Sequence, residues 1–229
     1  MTNNNNDYGY GYGNDCAYDD DLGLEKVVEI LKDGGVVIAP TDTVYGFLAD
    51  ARNEAAVGRI FEIKKRSVEK VLPVFVKNIE MVKRYMKPFD QAQGIKVKKF
   101  LEAVWPGAVT VILGIKETKL LSSMVIQNRT VGVRVSAHPF IKKIFEQIDF
   151  PLAQSSVNIA GEEPVRSAVE AEKVFQNLEF QPDLIIDGGI ITGSSSTVVD
   201  LSGGEPKILR EGAMSKNQIF RLFRKAGLM

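Results

Sequence analysis

From Leu22 onward the chain alternates between two hydrophobic periods. Leu24, Val27, Val28 and Leu31 recur at i, i+3, i+4 and i+7, which is the spacing of one helical face. Asp33-Gly34-Gly35 supplies a stop, and VVIAP after it predicts a short buried strand. Asn53 is placed to cap a second helix with an apolar face of Val57, Ile60 and Phe61, running into Lys64-Lys65-Arg66. VLPVFV, residues 71–76, predicts a strand whose Pro73 marks an edge or a bulge. Val97, Phe100, Leu101 and Val104 give another helical face, closed by Trp105-Pro106-Gly107. AVTVILGI and TVGVRV predict strands, the second set off by Asn128 and Gly132, and Ile141, Ile144, Phe145 and Ile148 return to helical spacing. PLAQSSVN is a strand entering a polar turn, Ser167 to Leu178 is helical, and DLIIDGG, STVVDLS and PKILREG are three short strands. Ser215 and Gln218 form a capping box ahead of a last helix that buries Ile219, Leu222 and Phe223. About five helices interleaved with about seven strands predict an α/β (α+β) domain built on one mixed sheet. No repeat or linker divides residues 22–229, so a single domain is expected there.

Composition changes that picture only at the margins. Among 229 residues, Lys+Arg and Asp+Glu both number 29, so the formal net charge is zero, which argues against a protein whose main work is to blanket a polyanion. Cys16 and His138 are the single residues of their kinds, so no internal disulfide forms and a zinc site of the usual N/S kind is not expected. One cysteine fits a reducing, cytoplasmic setting. No apolar run of about 18 residues predicts a membrane span. Residues 1–21 are a low-complexity mixture of Asn, Gly, Tyr and Asp, which predicts a disordered tail ahead of the folded domain.

Four polar stretches interrupt the apolar pattern. PTDTVYG, residues 40–46, follows a buried strand directly, so its hydroxyls project from a strand end, where α/β folds place ligands; a simple capped turn fits equally well. Lys64, Arg66 and Lys70 crowd between a helix end and a strand. Favourable placement of cations at a helix C-terminus explains Lys64 and Lys65, but explains Lys70 poorly. In SSVN, residues 155–158, Ser156 and Asn158 are alternate residues, able to face one way and to bind phosphate or ribose oxygens; a plain polar turn is the simpler account. Ser194–Thr197 and Arg210 form the fourth stretch, with Arg210 closing an apolar strand. Arg134 lies in the apolar run VGVRV, and an inward arginine requires an acidic partner or a ligand carboxylate. No Walker-A loop, GxGxxG loop or GxSxG elbow is present. Spacing and composition stop at an α/β domain with an anion pocket.

GGVVIAPTDTVYG, the Lys-x-Arg of IKKR, WPGAVTVIL, VGVRVSAHP, the Ser-x-Asn of SSVN, DGG, and STVVDLS with ILREG occur in this order from Leu24 to Ser215. Together they resemble the YrdC-like family of threonylcarbamoyl-AMP synthases, in its single-domain form. The resemblance implies a twisted mixed sheet flanked by helices around a cationic cavity. It also implies an enzyme that joins ATP, L-threonine and bicarbonate, with Mg²⁺, to give L-threonylcarbamoyladenylate and pyrophosphate. The product would pass to a separate tRNA threonylcarbamoyl transferase, with tRNA contact possible and no membrane. Carried over by position, Lys64 and Arg66 are implied as catalytic, and Lys64, Arg66, Lys70, Thr130, Ser156, Asn158 and Arg210 as ATP-binding. Thr43, Arg134 and Ser196 are implied on the L-threonine side, with Arg134 on the threonine carboxylate; no protein metal ligand is implied. The chain departs from the family where Lys65-Arg66-Ser67 replaces Gly-Arg-Pro, Phe75 a histidine, and Ser195 a glutamate. The rival classes are an RNA-binding module and a nucleotide-binding paralogue without turnover.

Overall fold

In the computed structural model, residues 9–10, 21–87, 91–203 and 205–229 are described, and their strands pair into one mixed sheet. The strands are β1 (Gly9–Tyr10), β2 (Val37–Ala39), β3 (Gly46–Asp50), β4 (Val74–Phe75), β5 (Val109–Gly114), β6 (Thr130–Arg134), β7 (Leu152–Ser156), β8 (Leu184–Ile186), β9 (Thr197–Asp200) and β10 (Lys207–Arg210). Their spatial order is β1-β8-β2-β3-β7-β4-β6-β5-β9-β10, with parallel pairing at β8/β2, β4/β6 and β5/β9 and antiparallel pairing elsewhere. The helices are α1 (Asp21–Lys32), α2 (Glu54–Lys64), α3 (Ile79–Tyr85), α4 (Gln91–Val104), α5 (Pro139–Gln147), α6 (Ala168–Phe175) and α7 (Lys216–Ala226). Among the described residues no helix is long and apolar enough to cross a membrane. The expected disordered tail, with Cys16, lies outside the described residues except for Gly9–Tyr10 and Asp21.

The helical faces fold as their periodicity predicts. Leu24, Val27, Val28 and Leu31 of α1 are all buried, as are Val57, Ile60 and Phe61 of α2 and Phe100 and Leu101 of α4. Asn53 caps α2, its side chain accepting the Ala56 N–H at 3.1 Å. Ser215 and Gln218 close the expected box on α7. Phe223 of α7 meets Phe100 of α4 at 4.8 Å between ring centres, which joins the last helix to the body of the domain. Removing the α2 cap with Asn53→Ala is expected to cost about 1 kcal/mol of unfolding free energy, measured by urea denaturation. Because α2 ends at the candidate site, any larger loss would mean that the site itself had come apart.

Three elements differ from expectation. β3 carries no period-two signal because all five of its residues are buried, so nothing polar marks its faces; it pairs β2 on one side and β7 on the other. α3 spans only seven residues, too few for a clear face, and is set by Asn78, whose side chain accepts the Met81 N–H at 3.0 Å. The VLPVFV strand shrinks to Val74–Phe75 and lies at the centre of the sheet between β7 and β6, not at an edge. Pro73 is tolerated there because only its carbonyl is used, accepting the Gln154 N–H at 2.9 Å.

Candidate active site

A cavity of about 260 Å³ opens where strand ends and connecting loops meet. Its wall takes alternate residues Thr130, Gly132 and Arg134 from β6, which face one way by the period of the strand. Thr130 reaches the wall through a tight turn. Asn128 and Arg129 both take left-handed backbone, φ 50° and 61°, and Gln127 and Thr130 exchange backbone hydrogen bonds of 2.8 and 3.0 Å around them. Opposite stand Gln154, Ser155 and Ser156 of β7, with Arg66 just beyond α2. Ser195, Ser196 and Arg210 complete the wall from the β9–β10 side.

Arg134 is 2% exposed and heavily engaged. Its Nε donates to the Gly107 carbonyl at 2.9 Å, its Nη1 donates to Thr43 Oγ1 at 3.0 Å, and its Nη2 lies 2.6 Å from Asp42 Oδ1. That last contact is an ion pair outside hydrogen-bond geometry. The inward arginine therefore has an acidic partner within the chain, Asp42, and does not depend on a ligand carboxylate for its charge balance. Burial works to raise the Asp42 carboxyl, but the adjacent Arg134 charge, with hydrogen bonds from Ser136 and the Ala137 backbone, outweighs it and holds the pKa below the ordinary carboxylate range. Asp42 was visible in the sequence only as the acid of PTDTVYG, where a cap was an adequate account. The guanidinium still has N–H groups left for a ligand, and it sits 5.4 Å from the Phe75 ring centre. Phe75 is fully buried and does not reach the cavity, so it acts on the site only through Arg134.

Arg66 faces the cavity with donors unspent. Its Nη1 and Nη2 make only long contacts, 3.5 Å each, to Ser155 Oγ and the Val71 carbonyl, and its buried Nε has no partner. Burial opposes its charge, so the cation is held in place without full compensation. Lys64, two residues earlier, is placed differently. At 1% exposure it is not part of the cavity wall; its Nζ donates to the Ser156 carbonyl, and to the Asn158 carbonyl and Oδ1 at 2.8 Å each. Burial first, and then the Arg66 charge, push its pKa down to about 7. Asn158 is likewise occupied: its Oδ1 also accepts from Ser156 Oγ at 2.7 Å, and its Nδ2 donates to the Ile159 and Glu162 carbonyls at 2.9 and 2.8 Å. Lys70 is exposed and outside the wall, as is Lys65, which closes α2 with φ 50°.

Arg210 and Ser196 are joined directly. The register of β10 shifts between Ile208 and Arg210, a bulge that re-aims the arginine, and its Nη2 donates to the Ser196 carbonyl at 2.8 Å. Ser196 Oγ pairs with Thr110 Oγ1 at 2.8 Å. Gly193 brings this segment against the threonine-bearing loop: a Cβ there would lie 2.2 Å from the Thr43 carbonyl oxygen, so only glycine fits. Seven of the ten sequence-derived site residues thus share one cavity: Thr43, Arg66, Thr130, Arg134, Ser156, Ser196 and Arg210. Lys64 and Asn158 stand behind its wall and Lys70 apart from it. Asp42 and Gln154 are additions that the sequence did not single out.

A mixed α/β sheet whose strand ends enclose three arginines, hydroxyls and amides has the chemistry to receive an anion. The family Sua5/YciO/YrdC, described as telomere recombination, matches residues 29–212, and the chain belongs to it. The resemblance drawn from the motifs is borne out. Among relatives, threonylcarbamoyl-AMP synthase of Bacillus subtilis (strain 168) is 32% identical over 197 residues, covering 86% of this chain and 55% of that protein. Threonylcarbamoyl-AMP synthase of Mus musculus is 34% identical over 215 residues, covering 90% of this chain and 72% of that one. The crystal structure of P. abyssi Sua5 complexed with L-threonine superposes with a TM-score of 0.79 at 29% identity, covering 89% of this chain and 58% of that chain. The chain thus spans little more than half the length of the Bacillus relative and of the solved Pyrococcus chain.

Proposed function

We propose that the protein is an L-threonylcarbamoyladenylate synthase, a nucleotidyltransferase acting on ATP, L-threonine and bicarbonate. The observation that carries the reading is one cavity holding two separate anion receivers, Arg66 with an unpartnered buried Nε and Arg134 at the end of β6. An orphaned guanidinium nitrogen is costly unless an anion meets it, and phosphate oxygens match the fork of an arginine. The names of the relatives support the same chemistry, and so does the fold shared with a threonine-bound neighbour.

In this reading Arg66 and Arg210 receive the phosphates, with Thr130 and Ser156 on the nucleotide. Arg134, Thr43 and Ser196 seat the amino acid, Arg134 sharing its charge between Asp42 and the substrate carboxylate. The neutral amine of threonine condenses with bicarbonate, releasing water, to give a carbamate. The carbamate oxygen then attacks the α-phosphorus, the bond from that phosphorus to the bridging oxygen breaks, and pyrophosphate leaves. Such a displacement needs positioning and charge neutralisation more than covalent help from the protein. Lys64 and Asn158 contribute from behind the wall by fixing the Ser156–Asn158 backbone. Mg²⁺ would arrive with the triphosphate and neutralise its charge. Among the described residues no group of three or more His, Cys, Asp or Glu is arranged to hold a metal. The product suits a separate transferase that modifies tRNA.

The test is pyrophosphate release by the full chain supplied with ATP, Mg²⁺ and bicarbonate, with and without L-threonine. Release that depends on both threonine and bicarbonate is expected; release indifferent to threonine, or none, overturns the reading. Arg66→Ala should raise the KM for ATP about tenfold or more, the effect of losing a charged hydrogen-bond donor, while moving the KM for threonine little.

A further inference from the structure

Gln154 lies on β7 two residues before Ser156, on the same face of the strand, and both line the cavity. It is only 7% exposed. Its backbone is paired within the sheet, but its carboxamide makes no hydrogen bond to any described residue. Among the described residues the buried side-chain nitrogens and oxygens left without a partner are Arg66 Nε and Arg134 Nη2, so the Gln154 amide is not sealed from solvent. The carboxamide is instead open to whatever occupies the cavity.

Its position shows what it would meet. A Cβ at Gly46, on the neighbouring strand, would lie 3.1 Å from Gln154 Nε2 and 3.2 Å from Thr41 Cγ2, so glycine at 46 leaves the amide room beside the Thr41 methyl. Thr41 Oγ1 is 3.1 Å from Thr43 Oγ1, which accepts from Arg134 Nη1 at 3.0 Å. The unpartnered amide therefore stands at the Thr43–Arg134 end of the cavity, where the proposed function seats the amino acid.

We infer that Gln154 is a specificity-determining residue: its carboxamide hydrogen-bonds the side-chain hydroxyl of the amino-acid substrate held by Arg134. A carboxamide both donates and accepts, so it satisfies a hydroxyl in either sense. A β-hydroxy amino acid is then favoured over a branched apolar one of the same shape, because the apolar analogue displaces water from the amide without pairing it. This inference rests on the synthase reading and goes beyond it by naming the group that distinguishes threonine from valine.

The test compares the full chain with Gln154→Met, of similar shape without the amide, and with Gln154→Ala. Pyrophosphate release from ATP is measured with L-threonine or L-valine, together with calorimetric binding of each amino acid and the KM for ATP. The threonine-to-valine ratio of kcat/KM is expected to fall about tenfold in both variants, with the KM for ATP and the melting temperature little changed. A ratio within twofold of the parent in both variants overturns the inference while leaving the synthase reading intact. If the parent binds threonine without turnover, the synthase reading fails and the ratio of binding constants decides on Gln154. A parent that does neither sinks both.

Discussion

Arg134→Ala is expected to lower the unfolding free energy by about 3–5 kcal/mol and to abolish threonine-dependent turnover. The structural cause is Asp42. In the parent, burial of its carboxylate is offset by the guanidinium 2.6 Å away, with Ser136 Oγ donating to the same Oδ1. Removing the arginine leaves that charge unpaired, strips Thr43 of a donor, and takes a cationic cover from the Phe75 ring. Stability and function separate in a second variant. Asp42→Asn combined with Arg134→Met removes both charges and should recover most of the stability, while turnover stays lost because nothing receives the amino-acid carboxylate. Urea denaturation and the pyrophosphate assay read the two effects independently. An Arg134→Ala protein as stable as the parent would show that the ion pair contributes nothing; one that still turned over would remove Arg134 from the site.

The second large effect belongs to Lys64 and is visible in pH. A lysine in the unfolded chain titrates near 10.4, whereas burial, with Arg66 beside it, brings Lys64 down to about 7 in the folded protein. Between those values the unfolded chain binds the extra proton, so the unfolding free energy must rise with pH across that window, by up to ~1.4 kcal/mol per pH unit. Below about pH 7 both states are protonated and the folded protein bears the full penalty of the buried charge. Lys64→Met should remove this slope. It should also raise the KM for ATP about tenfold, because the Ser156 and Asn158 carbonyls lose the Nζ donor that holds them. A methionine variant with the parent's pH slope would assign that slope to another group. One with the parent's slope and the parent's KM would leave Lys64 no part in positioning the loop.

The fate of Lys64 also shows how far the sequence could be followed. Its place in a cationic cluster after α2 was legible, and so was the pairing of that cluster with Ser-x-Asn. Which way its side chain turned was not, because that depends on β7 passing behind α2 and presenting carbonyl oxygens from residues more than ninety positions away. Arg134 was legible as an arginine in need of a partner, but Asp42 is brought to it only when the loop after β2 folds over the end of β6. Gln154 gave no signal at all, since a lone glutamine in an apolar strand becomes informative only once its neighbours leave it without a partner.

By itself the sequence determined the amphipathic helices, their caps, most of the strands and the family, because each rests on spacing or chemistry within a few residues. Asn53, Ser215 and Gln218 act on backbone groups next to them, and the face of α1 follows from a period of 3.6. Tertiary structure alone decided that Pro73 lies mid-sheet, that the fully buried Gly46–Asp50 is a strand, and which cations face the cavity. The reason is that strand order and the direction of a buried charge are set by long-range pairing and desolvation, and a chain's local pattern carries neither.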